Sequence, residues 1–178
     1  MPRNIEIKAR VADRTVLEQR AAALADQGPI SIFQDDTFFI CPEGRLKLRD
    51  FGDGCGELIF YTRADATGPK TSFYRIAPTN DPAALRETLR LALGERGRVV
   101  KQRTLYLAGR TRIHLDQVED LGDFMELEVV LAEGEDEAAG RREADQLMDQ
   151  LGIAPGQLVE GAYLDLLSTA GSSSARRP

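Results

Sequence analysis

Residues 4–10, NIEIKAR, alternate strictly, with Ile5, Ile7 and Ala9 on one side of an extended chain and Asn4, Glu6, Lys8 and Arg10 on the other. One such strand reads as an edge strand with a solvated face. The pattern keeps returning, however, and its recurrence limits what this chain can fold into. Residues 44–50 (GRLKLRD) set Leu46 and Leu48 against Arg45, Lys47 and Arg49. Residues 57–63 (ELIFYTR) set Leu58, Phe60 and Thr62 against Glu57, Ile59, Tyr61 and Arg63. In residues 99–107, Lys101, Arg103 and Leu105 share a side opposite Val100, Gln102, Thr104 and Tyr106. Residues 110–116 place Arg110, Arg112, His114 and Asp116 against Thr111, Ile113 and Leu115, and residues 124–131 place Glu126 and Glu128 against Met125, Leu127 and Val129. QDDTFFI (34–40) and KTSFYRI (70–76) bring the total to about eight strands.

Four segments carry helical signals. Asp13 to Asp26 opens on a capping residue, Asp81 to Leu93 has Asp81 before Pro82 and stops at Gly94, and Asp136 to Leu151 stops at Gly152. A short fourth helix spans Tyr163 to Leu167. The small, polar residues 169–178 are expected to be a disordered tail. With no internal repeat or low-complexity linker, residues 1–168 read as a single α+β domain, mostly antiparallel.

The 178 residues suffice for one domain with a real core, and no apolar run approaches the roughly 18 residues of a membrane span. The N-terminus lacks the apolar centre of an export signal, and Cys41 and Cys55 form neither a disulfide framework nor a zinc motif, so a cytoplasmic location is expected. A net charge of −6 argues against a nucleic-acid surface. It leaves open an anionic small molecule held by cations concentrated inside a pocket.

The alternating charges admit two readings. In one, each charged face is in water. In the other, the strands close into a barrel with a polar interior and helices over its apolar outside. Charge sign is segregated by strand: the 44–50 strand, the Lys101/Arg103 face and Arg110/Arg112 are basic, whereas Glu126 and Glu128 are an acidic pair. Solubilising surfaces mix signs, and bare charges inside a barrel would demand a ligand or metals. The pattern alone leaves the two readings open.

Glu126 and Glu128, two apart on one strand, point the same way and make a compact oxygen site for a hard cation such as Mg²⁺ or Mn²⁺. Arginines and lysines beside such an ion are the usual apparatus for a polyphosphate. GPKTS (68–72) lacks the full spacing of a phosphate-binding loop. His114, the only histidine, reads first as a structural polar residue and second as a substrate contact. No Ser/His/Asp or Cys/His set can be assembled, which favours metal-assisted phosphoryl or nucleotidyl transfer over acyl chemistry.

Taken in order, IEIK, QDDTFF, LKLR, ELIFYTR, the Lys101/Arg103 strand, TRIHLDQVEDLGDFMELE and AYLDLL resemble the CYTH superfamily, which joins class IV adenylyl cyclases with thiamine and inorganic triphosphatases. The likeness is greatest to bacterial proteins of the cyclase class, through GPKTSFYRI and TRIHLDQVEDLG. It implies an eight-stranded antiparallel closed barrel, a triphosphate tunnel with a polar interior and helices packed outside. It also implies Mg²⁺ or Mn²⁺ as cofactor, a small-molecule triphosphate such as ATP as partner, no nucleic acid or membrane, and room for a homodimer.

By the same resemblance Glu6, Glu126 and Glu128 fall on metal positions with Asp116 beside them. Lys8, Lys47, Arg49, Arg63, Lys101, Arg103 and Arg112 fall on substrate-binding positions, of which Lys8, Arg63 and Arg112 are the expected catalytic groups. Asn4 departs from the family's ExExK motif: its amide oxygen can coordinate, but it brings no negative charge and cannot serve as a base near neutral pH. The leading expectation is an enzyme that converts ATP to cyclic AMP and pyrophosphate. A triphosphatase is the alternative, and Asn4 motivates a third, a non-catalytic nucleotide or polyphosphate sensor.

Overall fold

The computed structural model describes residues 3–63 and 69–174. In chain order the elements are β1 (Arg3–Arg10), α1 (Arg14–Leu24), β2 (Gln27–Phe39), β3 (Arg45–Asp50), β4 (Gly56–Arg63), β5 (Lys70–Thr79), α2 (Pro82–Leu93), β6 (Glu95–Ala108), β7 (Thr111–Val118), β8 (Gly122–Leu131), α3 (Glu137–Leu151) and α4 (Tyr163–Ser174). All strand pairings are antiparallel, and the order β1-β5-β4-β3-β2-β6-β7-β8 closes on itself as β8 returns to β1. The expected eight-stranded barrel is therefore the fold. No helix among the described residues is long and apolar enough to cross a membrane.

The alternation follows from closure, because β1, β7 and β8 now have two buried sides, while Ile30, Phe60 and Phe73 on β2, β4 and β5 remain 38–43% exposed. Ile5, Ile7, Ile113, Leu115, Met125, Leu127 and Val129 point outward and pack with Leu17 and Ala21 of α1 and Ala144 and Leu151 of α3. Burying each such aliphatic side chain stabilises the fold by about 1.5–3 kcal/mol, against roughly 0–1 kcal/mol for an exposed ion pair. A one-residue slip would exchange these side chains for Glu6, Lys8, Arg112 and Glu128, so the outer core sets the register and the register delivers the charges inside. Gly140 lets α3 approach closely: a Cβ there would stand 2.6 Å from Leu131 and 2.9 Å from Ile5.

The helices begin where the sequence marks them. The side chains of Asp13, Asp81 and Asp136 accept hydrogen bonds from the amides of Val16, Ala84 and Ala138, and Gly152 takes the left-handed conformation that ends α3. Several positions differ from expectation, and β5 and β6 run longer than the 70–76 and 99–107 read from the sequence. Strand β2 starts at Gln27, ahead of the expected Gln34, and its first half pairs with Thr104–Leu107 of β6 around a register shift near Gly28 and Pro29. Helix α4 continues through Ser174, beyond the expected end at Leu167, so the stretch read as a disordered tail from residue 169 is helical as far as Ser174. Arg110 sits in the β6–β7 turn and pairs with Glu135 and Glu143, so it does not continue the strand side it was read as sharing with Arg112. Gly68 of the GPKTS fragment, the side chain of Arg63 and residues 175–178 lie outside the described residues.

Helix α4 closes one end of the barrel. Tyr163 and Leu164 pack with Phe38, Val99, Val118 and Phe124, the Tyr163 and Phe124 rings meeting edge to face at 5.0 Å. The Val159 amide donates to the Lys8 carbonyl at 2.9 Å, and Arg45 at the start of β3 holds Asp165 at 2.7 Å.

Candidate active site in the barrel interior

The interior is a cavity of about 340 Å³. Among the described residues its wall carries six cations, Lys8, Lys47, Arg49, Lys101, Arg103 and Arg112, and five carboxylates, Glu6, Asp36, Glu57, Glu126 and Glu128. Asp116, fully buried, stands behind the wall as a sixth. Every expected site residue whose side chain is described lines this cavity except Asp116, which stands directly behind the wall.

Register explains the assembly. On the β1–β8–β7 ladder, Glu126 stands between Lys8 and His114, and Glu128 between Glu6 and Arg112. Lys8 Nζ lies 3.3 Å from Glu126 Oε1, donates to the Gly161 carbonyl at 3.1 Å and sits 3.8 Å above the Tyr163 ring. Arg103 holds Glu126 at 2.6 Å and clasps both oxygens of Asp116 at 2.6 Å. Lys101 and the Tyr163 hydroxyl also donate to Asp116, at 2.8 and 3.0 Å. Arg112 Nε lies 3.0 Å from Glu128 Oε2. Across the barrel, Asp36 accepts from Lys47 at 2.7 Å and from Arg49 twice at 2.8 Å.

These pairs set the protonation states. Burial opposes charge on Asp36, Asp116 and Glu126, yet Arg49 with Lys47, Arg103 with Lys101, and Lys8 with Lys101 outweigh it and hold each carboxyl below its usual range. Burial, reinforced by Arg49, pushes Lys47 down to about 7. Burial and Arg103 push His114 down to about 3, so the imidazole is neutral at physiological pH. Burial raises the Tyr163 hydroxyl well above its ordinary range, which keeps it a donor to Asp116.

Among the described lining residues, four buried polar atoms lack a hydrogen-bond partner: Asn4 Oδ1, Gln34 Oε1, Arg112 Nε and His114 Nδ1. Asn4 and His114 are 2% and 4% exposed. Donor atoms of His114, Glu126 and Glu128 lie within 4.8 Å of one another. Such a set of carboxylate oxygens and unpartnered buried atoms fits a divalent cation. The lining also includes the apolar side chains of Ile32, Phe51, Ile76 and Leu105.

The sequence reading missed Asp36 and Tyr163. Asp36 sits in QDDTFF, where Gln34, Asp36 and Phe38 face inward while Asp35 pairs with Arg98 and Arg86. The alternation signal was present there, but the facing Lys47 and Arg49 that give it meaning come from another strand. Tyr163 carried no local signal; its role comes from α4 folding back onto the barrel.

The CYTH domain model matches residues 2–163. The chain belongs to the CYTH family. No curated protein matches it by sequence. Among solved structures, the CYTH barrel is similar to the PH1012 protein of Pyrococcus horikoshii OT3, with 23% identity, a TM-score of 0.80, and 92% of this chain and 98% of that one covered. It is also similar to a Vibrio parahaemolyticus protein proposed to be an adenylate cyclase (16% identity, TM-score 0.69, 93% and 97% covered). A third is HpAC1 from Hippeastrum, described as having a dominant triphosphatase activity (16% identity, TM-score 0.62, 84% and 88% covered). At these identities the likeness establishes the fold.

Proposed function

We propose that this CYTH barrel is a divalent-metal-dependent enzyme that converts ATP to cyclic AMP and pyrophosphate inside its tunnel. One observation carries the reading: six cations turned into one cavity and balanced there by carboxylates. A polyphosphate entering alone would add negative charge to a wall already near neutrality. Entering with a divalent cation it adds about half as much negative charge, and this is the physical case for metal dependence.

Lys8, Lys47, Arg49, Lys101, Arg103 and Arg112 bind phosphoryl oxygens, and Arg63 joins them by its place in the motif. Lys8 and Arg112 border Glu126 and Glu128 and bring positive charge to the leaving phosphates as the bond breaks. Glu126 and Glu128, with Glu6, would hold Mg²⁺ or Mn²⁺, which supplies further charge stabilisation at the phosphoryl oxygens when bound. Asp116, saturated by Lys101, Arg103 and Tyr163, is assigned to aligning those cations instead of ligating the ion. Ile32, Phe51, Ile76 and Leu105 would shelter the organic part of the substrate. The ribose 3′-hydroxyl must then reach the α-phosphorus in line with departing pyrophosphate.

The triphosphatase reading shares this wall and differs in aligning water on a terminal phosphorus. The activity described for the Hippeastrum protein keeps it as the second reading. The test uses Lys8→Ala and Glu126→Ala, checked for folding by circular dichroism and assayed with ATP and Mn²⁺. Each should lose at least about 100-fold in kcat/KM, in line with the removal of a charge-stabilising group. Folded variants with wild-type turnover would refute the site.

A further inference from the structure

His114 is a buried group in the tunnel that no phosphate-binding role absorbs. It is 4% exposed and sits on β7 directly opposite Glu126 of β8, with Glu128 on the diagonal. Its Nδ1 is buried without a partner and lies 3.8 Å from Glu128 Oε1. That separation is too long for a hydrogen bond. It is within the span of two ligands on one ion, since donors each about 2.0–2.2 Å from a metal can stand up to roughly 4.3 Å apart. The other Glu128 oxygen is held by Arg112 at 3.0 Å, which turns Oε1 toward the imidazole. Arg103 and Lys8 fix the Glu126 carboxylate in the same way. The cluster is therefore oriented by its neighbours while its facing nitrogen and oxygen stay unjoined.

We infer that the His114 imidazole is a metal ligand beside Glu126 and Glu128, giving the tunnel a nitrogen-bearing site that selects a first-row transition ion such as Mn²⁺ over Mg²⁺. Mg²⁺ holds its water and takes oxygen donors, whereas imidazole suits transition ions, so one nitrogen among carboxylates tilts the choice. The inference rests on the tunnel holding a metal, and not on which reaction runs there.

His114 is the chain's only histidine, so any imidazole signal from tag-free protein can come from nowhere else. The experiment is Mn²⁺ binding to tag-free, substrate-free protein, followed by electron paramagnetic resonance with detection of nitrogen modulation. Wild type should bind Mn²⁺, show imidazole nitrogen modulation, and release the ion only to a large excess of Mg²⁺. His114→Gln should lose the modulation and weaken Mn²⁺ by roughly 10- to 100-fold, with Mg²⁺ affected less. Bound Mn²⁺ without nitrogen modulation in the wild type would overturn the assignment, as would no bound Mn²⁺. Either result is independent of the variant's folding. ATP turnover with Mg²⁺ alongside a missing nitrogen signal would leave the proposed function standing and remove this inference alone.

Discussion

Replacing Asp116 by Asn tests whether the charges truly lie inside. The substitution keeps shape and removes one charge from a carboxylate that is fully buried and bonded by Lys101, Arg103 and Tyr163. Arg103 retains Glu126 at 2.6 Å, so the stranded partner is Lys101, itself 4% exposed. Breaking a buried ion pair from one side costs about 3–5 kcal/mol. Burial and Arg103 already lower the Lys101 pKa, so it can shed its proton, which places the expected loss near the lower end, about 3 kcal/mol. For a chain of this length that corresponds to a fall in Tm of roughly 6–12 °C. Urea denaturation at pH 7.5 with an unchanged m-value gives the free energy, and calorimetry gives Tm. A loss below about 1 kcal/mol, the range of an exposed pair, would refute the buried network.

Two further outcomes follow from the protonation states. Lys47, lowered to about 7, is mostly neutral at pH 8 in the free protein, and a bound polyanion raises its pKa, so binding takes up a proton. Titration calorimetry of inorganic triphosphate with Mg²⁺ at pH 8, in buffers of different ionisation enthalpy, should show this uptake, and Lys47→Met should abolish it. His114, lowered to about 3 from 6.5 in the unfolded chain, contributes stability that is present above pH 6.5 and is lost as the pH falls toward 3. The lowered carboxylates of Asp36, Asp116 and Glu126 contribute only below their ordinary values near 4. Between pH 6.5 and 4.5, metal-free wild type should therefore lose about 1.4 kcal/mol per pH unit. His114→Gln should flatten that slope, and an equal slope in both proteins would contradict a buried neutral imidazole.

Much of this was legible in the sequence because closure, with α1 and α3 outside, gives β1, β7 and β8 two demanding sides. The outer aliphatics at Ile5, Ile7, Ile113, Leu115 and Leu127 and the inner charges at Lys8, Lys101, Arg103 and Glu126 both obey a period of two. The pattern could not distinguish a charged lining from a charged surface, since closure is a property of eight strands together; the β8–β1 pairing resolves it. The start of β2 was hidden because Gly28 and Pro29 read as a turn and Ile30 and Phe33 remain substantially exposed. The extent of α4 was hidden by its Ser/Thr/Gly/Ala composition. Asp36, Tyr163 and the placement of His114 between two glutamates depend on contacts between strands far apart in the chain.

The central claim is tested most directly by the products of the purified protein with ATP, followed by ³¹P NMR with Mn²⁺, with Mg²⁺, and with chelator. Cyclic AMP and pyrophosphate, formed in equal amounts with either metal and absent with chelator, are the expected result. Orthophosphate in their place would move the assignment to the triphosphatase reading, and tight ATP binding without any turnover would contradict the account of this tunnel as an active site.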